Sequence, residues 1–299
     1  MIEITRILCP IDLSDPSRRA LDHAVAIARW YGAAITVLRV IPSIMPIVSD
    51  TGVLPYPFVP ITAADRAQLR ADTEAFVSRE AGGPPMDTLV VDGDPSREIL
   101  DHADRLGAGL IVMGTHGLRG FDRLLLGSVT ERVLRRAPCP VLTVPLGAPD
   151  AVPSTPGLYK RILCGVDFSP ASIAALRVAA SIAKEADARL IVAHAVEHIA
   201  LWPLPAGAPD VESLEHKARE AARGVLRGAI TDDVRVYAHV EEIVASGKAY
   251  RALLQIAEAR GVDLIVAGAH GGLAGLLHFG STTNHLVRAA SCPVLTVRA

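Results

Sequence analysis

Aromatic residues are scarce in this chain, 4% of 299, and neither sign of charge prevails: 30 Lys and Arg stand against 32 Asp and Glu, a formal net of −2. That balance leaves no polybasic surface for non-specific binding, so no nucleic-acid partner is expected. Long apolar runs are lacking too. The longest, Ala33 to Val48, is broken by Arg39, Pro42 and Pro46 and is too short to cross a bilayer. No membrane partner is expected. The start, Met1-Ile2-Glu3-Ile4, has no basic n-region or cleavage site, which makes the cytoplasm the expected compartment. The four cysteines, Cys9, Cys139, Cys164 and Cys292, form no CxxC pair and stand in apolar stretches, so they read as buried free thiols and no metal is expected.

What the chain has in quantity is small and branched aliphatic residues, the material of buried parallel strands beneath Ala/Leu-rich helices. It also repeats itself. Arg6-Ile-Leu-Cys-Pro-Ile-Asp12-Leu-Ser14 returns as Arg161-Ile-Leu-Cys-Gly-Val-Asp167-Phe-Ser169, an offset of 155 residues. Leu110-Ile-Val-Met-Gly114-Thr-His116-Gly117 returns as Leu264-Ile-Val-Ala-Gly268-Ala-His270-Gly271, and Cys139-Pro-Val-Leu-Thr-Val144 as Cys292-Pro-Val-Leu-Thr-Val297, at offsets of 154 and 153. A nearly constant offset over three separated segments predicts two units of one topology. Between them lies Pro145 to Gly157, rich in Pro, Gly and Ala, which can continue neither a helix nor a central strand. The expected division is 1–147 for the first unit, 148–158 for the linker and 159–299 for the second.

Within the first unit, Ile4 to Asp12 reads as a strand and Asp15-Pro16 as a helix cap followed by proline at the first turn. Apolar Leu21, Ala24, Val25 and Ala28 recur at helical spacing, and Gly32 ends the pattern before a strand at Ala34 to Ile41. The proline-rich stretch from Pro42 to Pro60 predicts an irregular loop, with a shorter counterpart at Pro203 to Pro209. Thr62 caps a polar helix to about Glu80. Asp87 to Val91 is a third strand, Asp94-Pro95 caps the next helix, and Gly109 to Met113 is a fourth strand. Ser128 to Arg136 is a last helix and Val141 to Val144 a last strand. Alternation of this kind demands parallel pairing with right-handed crossovers, and ligands in such sheets sit beyond the strand carboxyl ends where the winding reverses. For the order 3-2-1-4-5 that point lies between Asp12 and Gly114.

After the fourth strand, Gly114, Gly117 and Gly127-Ser128 stand at the spacing Gly-x₂-Gly-x₉-Gly-Ser, and Ser128 opens a helix. Glycines allow close backbone approach or positive φ, and the free N–H groups of a helix start favour an anion. Together with an aspartate closing the first strand, this pattern resembles the ATP-binding branch of the universal stress protein family, over nearly the whole chain. The resemblance implies an α/β fold of two tandem, open-twisted, five-stranded parallel sheets of order 3-2-1-4-5 with helices on both faces, similar to the adenine nucleotide alpha hydrolases. It implies ATP, or ADP or AMP, with or without Mg²⁺, as the ligand. Asp12 and Val40 would meet adenine, Gly114 and Gly117 would lie by the ribose, Gly127, Ser128, Val129 and Thr130 would hold phosphates, and Pro10, Ile11, Met113 and His116 would also line the site. The residues alone also admit a plainer reading, in which Gly114 and Gly117 make a tight turn and Ser128 forms a capping box with Glu131.

The second unit keeps Asp167, Gly268, His270, Gly271, Gly280, Ser281 and Thr282, but only eight residues separate Gly271 from Gly280. Residues 272–279 contain no Lys or Arg, against Arg119 and Arg123 in the first unit, so the second site is expected to be weaker or to prefer fewer phosphates. The favoured function is a nucleotide-dependent stress-response switch without rapid turnover. Slow ATP hydrolysis served by Asp122, Glu131 or His116, and a flavin-adenine electron-transfer unit, stand as alternatives. Ser246-Gly247-Lys248 reads as a turn rather than a phosphate loop, and Ser14 and Ser169 as capping residues rather than nucleophiles. The last strands of the two units offer matching edges for an intramolecular pseudo-dimer, and a homodimer is compatible with the same reading.

Overall fold

The computed structural model describes residues 4–42, 48–49, 52–53, 62–78, 83–115, 126–148, 158–197, 211–237, 239–269 and 280–298. The first repeat opens with β1 (Arg6–Ile11), α1 (Asp15–Tyr31) and β2 (Ala34–Pro42). A two-residue hairpin, β3 (Val48–Ser49) and β4 (Gly52–Val53), lies in the stretch expected to be irregular throughout. There follow α2 (Ala63–Val77), β5 (Met86–Gly93), α3 (Pro95–Arg105), β6 (Leu110–Gly114), α4 (Ser128–Arg136) and β7 (Val141–Val144). The second repeat runs β8 (Arg161–Gly165), α5 (Pro170–Ala186), β9 (Arg189–Val196), α6 (Val211–Ala229) and α7 (Asp232–Tyr237). It closes with β10 (Val240–Ser246), α8 (Ala249–Arg260), β11 (Leu264–Gly268), α9 (Ser281–Ala289) and β12 (Val294–Val297). The expected linker falls mostly on residues 149–157, and the second proline-rich stretch on 203–209; both lie outside the described residues.

Each repeat has the strand order 3-2-1-4-5, and the two sheets join into one of ten strands, β10-β9-β8-β11-β12-β7-β6-β1-β2-β5. Within the ten-stranded sheet the described pairs are parallel in each half and antiparallel where β7 meets β12, with Leu142 opposite Leu295. Two buried threonines bind this seam reciprocally: Thr143 Oγ1 donates to the Val294 carbonyl at 3.1 Å and Thr296 Oγ1 to the Val141 carbonyl at 3.2 Å. Apolar cores cover both faces of the sheet, and each draws on both repeats, so neither face stops at the seam. Such two-sided burial explains why the strands read as continuous apolar runs rather than alternating ones.

Local chemistry sets the element ends. The cap of α1 is Ser14, one residue before the expected Asp15: its hydroxyl accepts from Ser17 N, and Pro16 occupies the first turn, where no N–H partner is needed. Gly32 closes α1 in the left-handed region at φ 63°, and Asp187 does the same for α5 at φ 50°. Thr62 and Asp65 form a complete capping box for α2, which ends at Val77 rather than Glu80. Tyr159, fully buried at the start of the second repeat, reaches back to His23 of α1 with a 2.9 Å hydrogen bond and stacks on its ring.

Candidate functional site

A cavity of about 650 Å³ opens at the carboxyl ends of β1, β2 and β6 in the first repeat. That is the crevice where the winding direction reverses, and its size falls within the range of small-molecule sites. Pro10, Ile11 and Asp12 form one wall, with Leu38 and Val40 of β2 beside them. Met113 and Gly114 close the β6 side, and Gly127, Ser128, Val129 and Thr130 bring the start of α4 to the rim. All ten described residues assigned to this site by the resemblance therefore line one cavity. His116 and Gly117, with Arg119, Asp122 and Arg123, lie outside the described residues.

Asp12 is set by the turn that follows it. Leu13 takes φ 65°, a strained conformation for a branched side chain, and Phe168 repeats it at φ 65° after Asp167. The turn lets Asp12 Oδ1 accept from Ser14 N at 3.1 Å and from Ser17 Oγ at 2.6 Å. Asp167 Oδ1 likewise accepts from Ser169 N at 3.0 Å and from Ser169 Oγ. Partial burial pushes the Asp167 carboxyl upward, but these hydrogen bonds and one from Ser172 outweigh it and hold the group below its ordinary range. Ser14, Ser17 and Ser169 thus serve the helix start and the aspartate.

The start of α4 departs from the capping-box expectation. The cap is Gly127, not Ser128, and no side chain bonds to it. Its own N–H donates to the Thr115 carbonyl at 2.9 Å. Gly127 and Gly280 have φ of −58° and −57°, so freedom for positive φ is not why glycine stands there. The N–H groups of Ser128, Val129 and Thr130 head the helix beyond reach of intrahelical acceptors, and all three residues line the cavity. Thr130 contributes its amide only, because its buried hydroxyl donates to the Gly114 carbonyl at 3.0 Å and braces α4 against β6. Thr283 and Gly268 repeat that brace at 2.6 Å.

Sequence reading passed over Leu38, Ile99 and Arg39. The first two are apolar wall residues with no motif to mark them. Arg39 contributes to the wall while its guanidinium turns to α2, donating to the Leu69 carbonyl and to Thr73. Glu131, a candidate base, does not line the cavity; its oxygens face Arg135 at 2.9 Å and Arg288 at 3.5 Å. Ser246-Gly247-Lys248 is a strand-to-helix turn, with Gly247 at φ 108° and Lys248 capping α8. The four cysteines are buried, which pushes the thiols of Cys9, Cys139 and Cys292 up to about 12 and that of Cys164 higher still.

The matching crevice in the second repeat is smaller, about 190 Å³. Asp167, Gly268, Gly280, Ser281 and Thr282 line it; His270 and Gly271 lie outside the described residues. Gly165 stands where the first repeat has Pro10, and a Leu253 δ-carbon fills its space, 2.8 Å from where a Cβ would sit. Gly268 is packed against the start of α5, where a Cβ would come within 2.9 Å of Ser172 N. His194 occupies the β9 wall with Nδ1 2.7 Å from the Val166 carbonyl. Leu253 over Gly165 and His194 on the β9 wall narrow this crevice, contacts that no motif announced.

The family model described as the universal stress protein family matches residues 3–145 and again 158–298. A universal stress protein of Mycolicibacterium smegmatis is 28% identical over 301 aligned positions, covering 98% of this chain and 96% of that protein. One from Methanocaldococcus jannaschii is 35% identical over 139 residues, 46% of this chain and 81% of its own length. Among solved structures, a universal stress protein from Archaeoglobus fulgidus superposes with a TM-score of 0.67 at 22% identity, covering 98% of each chain.

Proposed function

We propose that this chain, which belongs to the universal stress protein family, holds ATP or a related adenine nucleotide in its first repeat and acts as a nucleotide-dependent switch. One observation carries the reading: three amides without intrahelical acceptors, at Ser128, Val129 and Thr130, head a helix at the rim of a cavity whose inner walls are apolar. Polyphosphate suits the amides, because the helix dipole and the N–H groups both favour negative charge. A purine suits the walls of Ile11, Leu38, Val40 and Met113, and the Asp12 carboxylate can accept from an exocyclic amine. The ligand supplies the charge and the stacking face; the protein supplies donors fixed in advance by the Gly127 and Thr130 braces. Among the described residues no cluster of three or more His, Cys, Asp or Glu could hold a metal.

The second repeat, with its smaller crevice, takes the same class of ligand more weakly or with fewer phosphates. Differential affinity for two states, rather than turnover, drives the switch. Also among the described residues, no helix is long and apolar enough to cross a membrane. Mass spectrometry of ligand released from freshly purified protein should find an adenine nucleotide, and calorimetry should show ATP binding by the parent. Gly127→Val puts a branched side chain on the rim and should abolish that binding with the fold intact by circular dichroism. Unchanged ATP affinity in the variant would remove the site assignment.

A further inference from the structure

Helix α4 opens onto the first cavity, yet it is held at two points by the second repeat. Glu131, its fourth residue, has Oε1 2.9 Å from Arg135 Nη2 and Oε2 3.5 Å from Arg288 Nη2. Arg288 belongs to α9, where its Nε also donates to Asn284 Oδ1 at 2.7 Å. Asn284 occupies in α9 the place that Glu131 occupies in α4, so one guanidinium links equivalent positions on the two helices whose N-termini face the two crevices. At the far end of α4, Arg298, just past β12, donates to the Arg135 carbonyl, among the last of the helix.

The charges have opposite consequences for the empty and the filled site. A carboxylate in the first turn of α4 complements the helix dipole when no anion is bound. It repels a phosphate tail placed one turn away on the same amides. Arg135 alone makes the pair neutral; Arg288 gives the trio a net positive charge.

We propose that Arg288 of the second repeat is a positioning and specificity-determining residue for the first repeat's site, offsetting Glu131 so that anionic nucleotides are preferred over neutral nucleosides. This rests on the reading of the first cavity as a nucleotide site. The fusion of two units then adds a cation from the second repeat beside the helix start of the first site. With side chains 34% and 31% exposed, Arg288 and Glu131 act through partly screened charges, so the effect is modest.

The test is calorimetry on the full chain with ATP and with adenosine, for the parent, Arg288→Gln, Glu131→Gln, the double variant and Arg288→Lys, using Gly127→Val as the blank that identifies heat from the first site. Arg288→Gln should weaken ATP by about threefold while leaving adenosine unchanged, as a single charge acting over several ångströms predicts. The loss should shrink as salt rises from about 0.05 M to about 0.5 M, persist in the Glu131→Gln background, where ATP itself binds more tightly because a like charge is gone, and be largely restored by Arg288→Lys. Equal weakening of ATP and adenosine would mean a merely structural role, and a loss that salt does not reduce would mean a route other than charge; either overturns the proposal. So does unchanged ATP affinity in Arg288→Gln with a binding-competent parent, which leaves the nucleotide reading intact. A parent that binds no ATP removes both.

Discussion

At the scale of single residues, the two aspartates that close the first strands show how little of a site is the motif and how much is its support. Asp12 and Asp167 are aimed by a left-handed residue after each, Leu13 and Phe168, and by serines that begin the next helix. The depressed proton affinity of Asp167 ties its hydrogen bonds to stability. Its folded-state value lies below the ordinary 3.8, so the stabilisation is fully present above that value and drains away as pH falls through the folded one. Asp167→Asn should therefore cost at most about 1 kcal/mol at neutral pH, because solvent screens the bonds of this exposed carboxylate, and the gap should close in acid. Urea denaturation of parent and variant across pH would show it; a gap that stays constant into strong acid would refute the electrostatic account. The aspartates themselves were legible from the repeat. The plainer reading of Ser128, as half of a capping box with Glu131, does not hold, because the cap stands one residue earlier and Glu131 is drawn off by Arg135 and Arg288. A contact with a residue 157 positions away leaves no local signature.

Among the elements, α2 is the exception. Thr73 is its only buried residue, whereas α1 and α5 bury much of their length against the sheet. With so little apolar contact, its local stability leans on the Thr62–Asp65 box and on Arg39, whose guanidinium ties Leu69 and Thr73 to β2. Thr62→Ala should cost about 1 kcal/mol locally, speeding hydrogen exchange of the α2 amides while the melting temperature barely moves. A matching fall in global stability would show instead that α2 unfolds only with the sheet. Helix and strand positions were largely readable because caps and periodicity are local: Asp94-Pro95, Ser128 to Arg136 and Val141 to Val144 stand where their sequences put them. The cavity volumes were not. They are set by which aliphatic side chain meets which backbone, as where Leu253 settles over Gly165, and such pairings are decided by packing.

For the whole molecule, the antiparallel seam decides whether the chain behaves as two domains or one. β7 and β12 would each be an exposed edge in an isolated repeat; paired, they leave β10 and β5 as the ends of a continuous sheet. The seam buries Leu142 against Leu295 and engages Thr143 and Thr296 with carbonyls across it, and Tyr159 of the second repeat hydrogen-bonds His23 of the first. Opening it would leave buried hydroxyls and carbonyls without partners and strip cover from both cores, which weighs against one repeat surviving the loss of the other. Scanning calorimetry should then give one transition, with calorimetric and van't Hoff enthalpies in agreement. A ligand held only by the first repeat must under these conditions raise the whole transition, by about 2.7 kcal/mol at a hundredfold excess over the dissociation constant. Two resolved transitions, of which ATP moves one, would show that the repeats fold independently. The seam would then align two sites without coupling their stabilities, and any influence of Arg288 on the first site would have to act within the folded state alone.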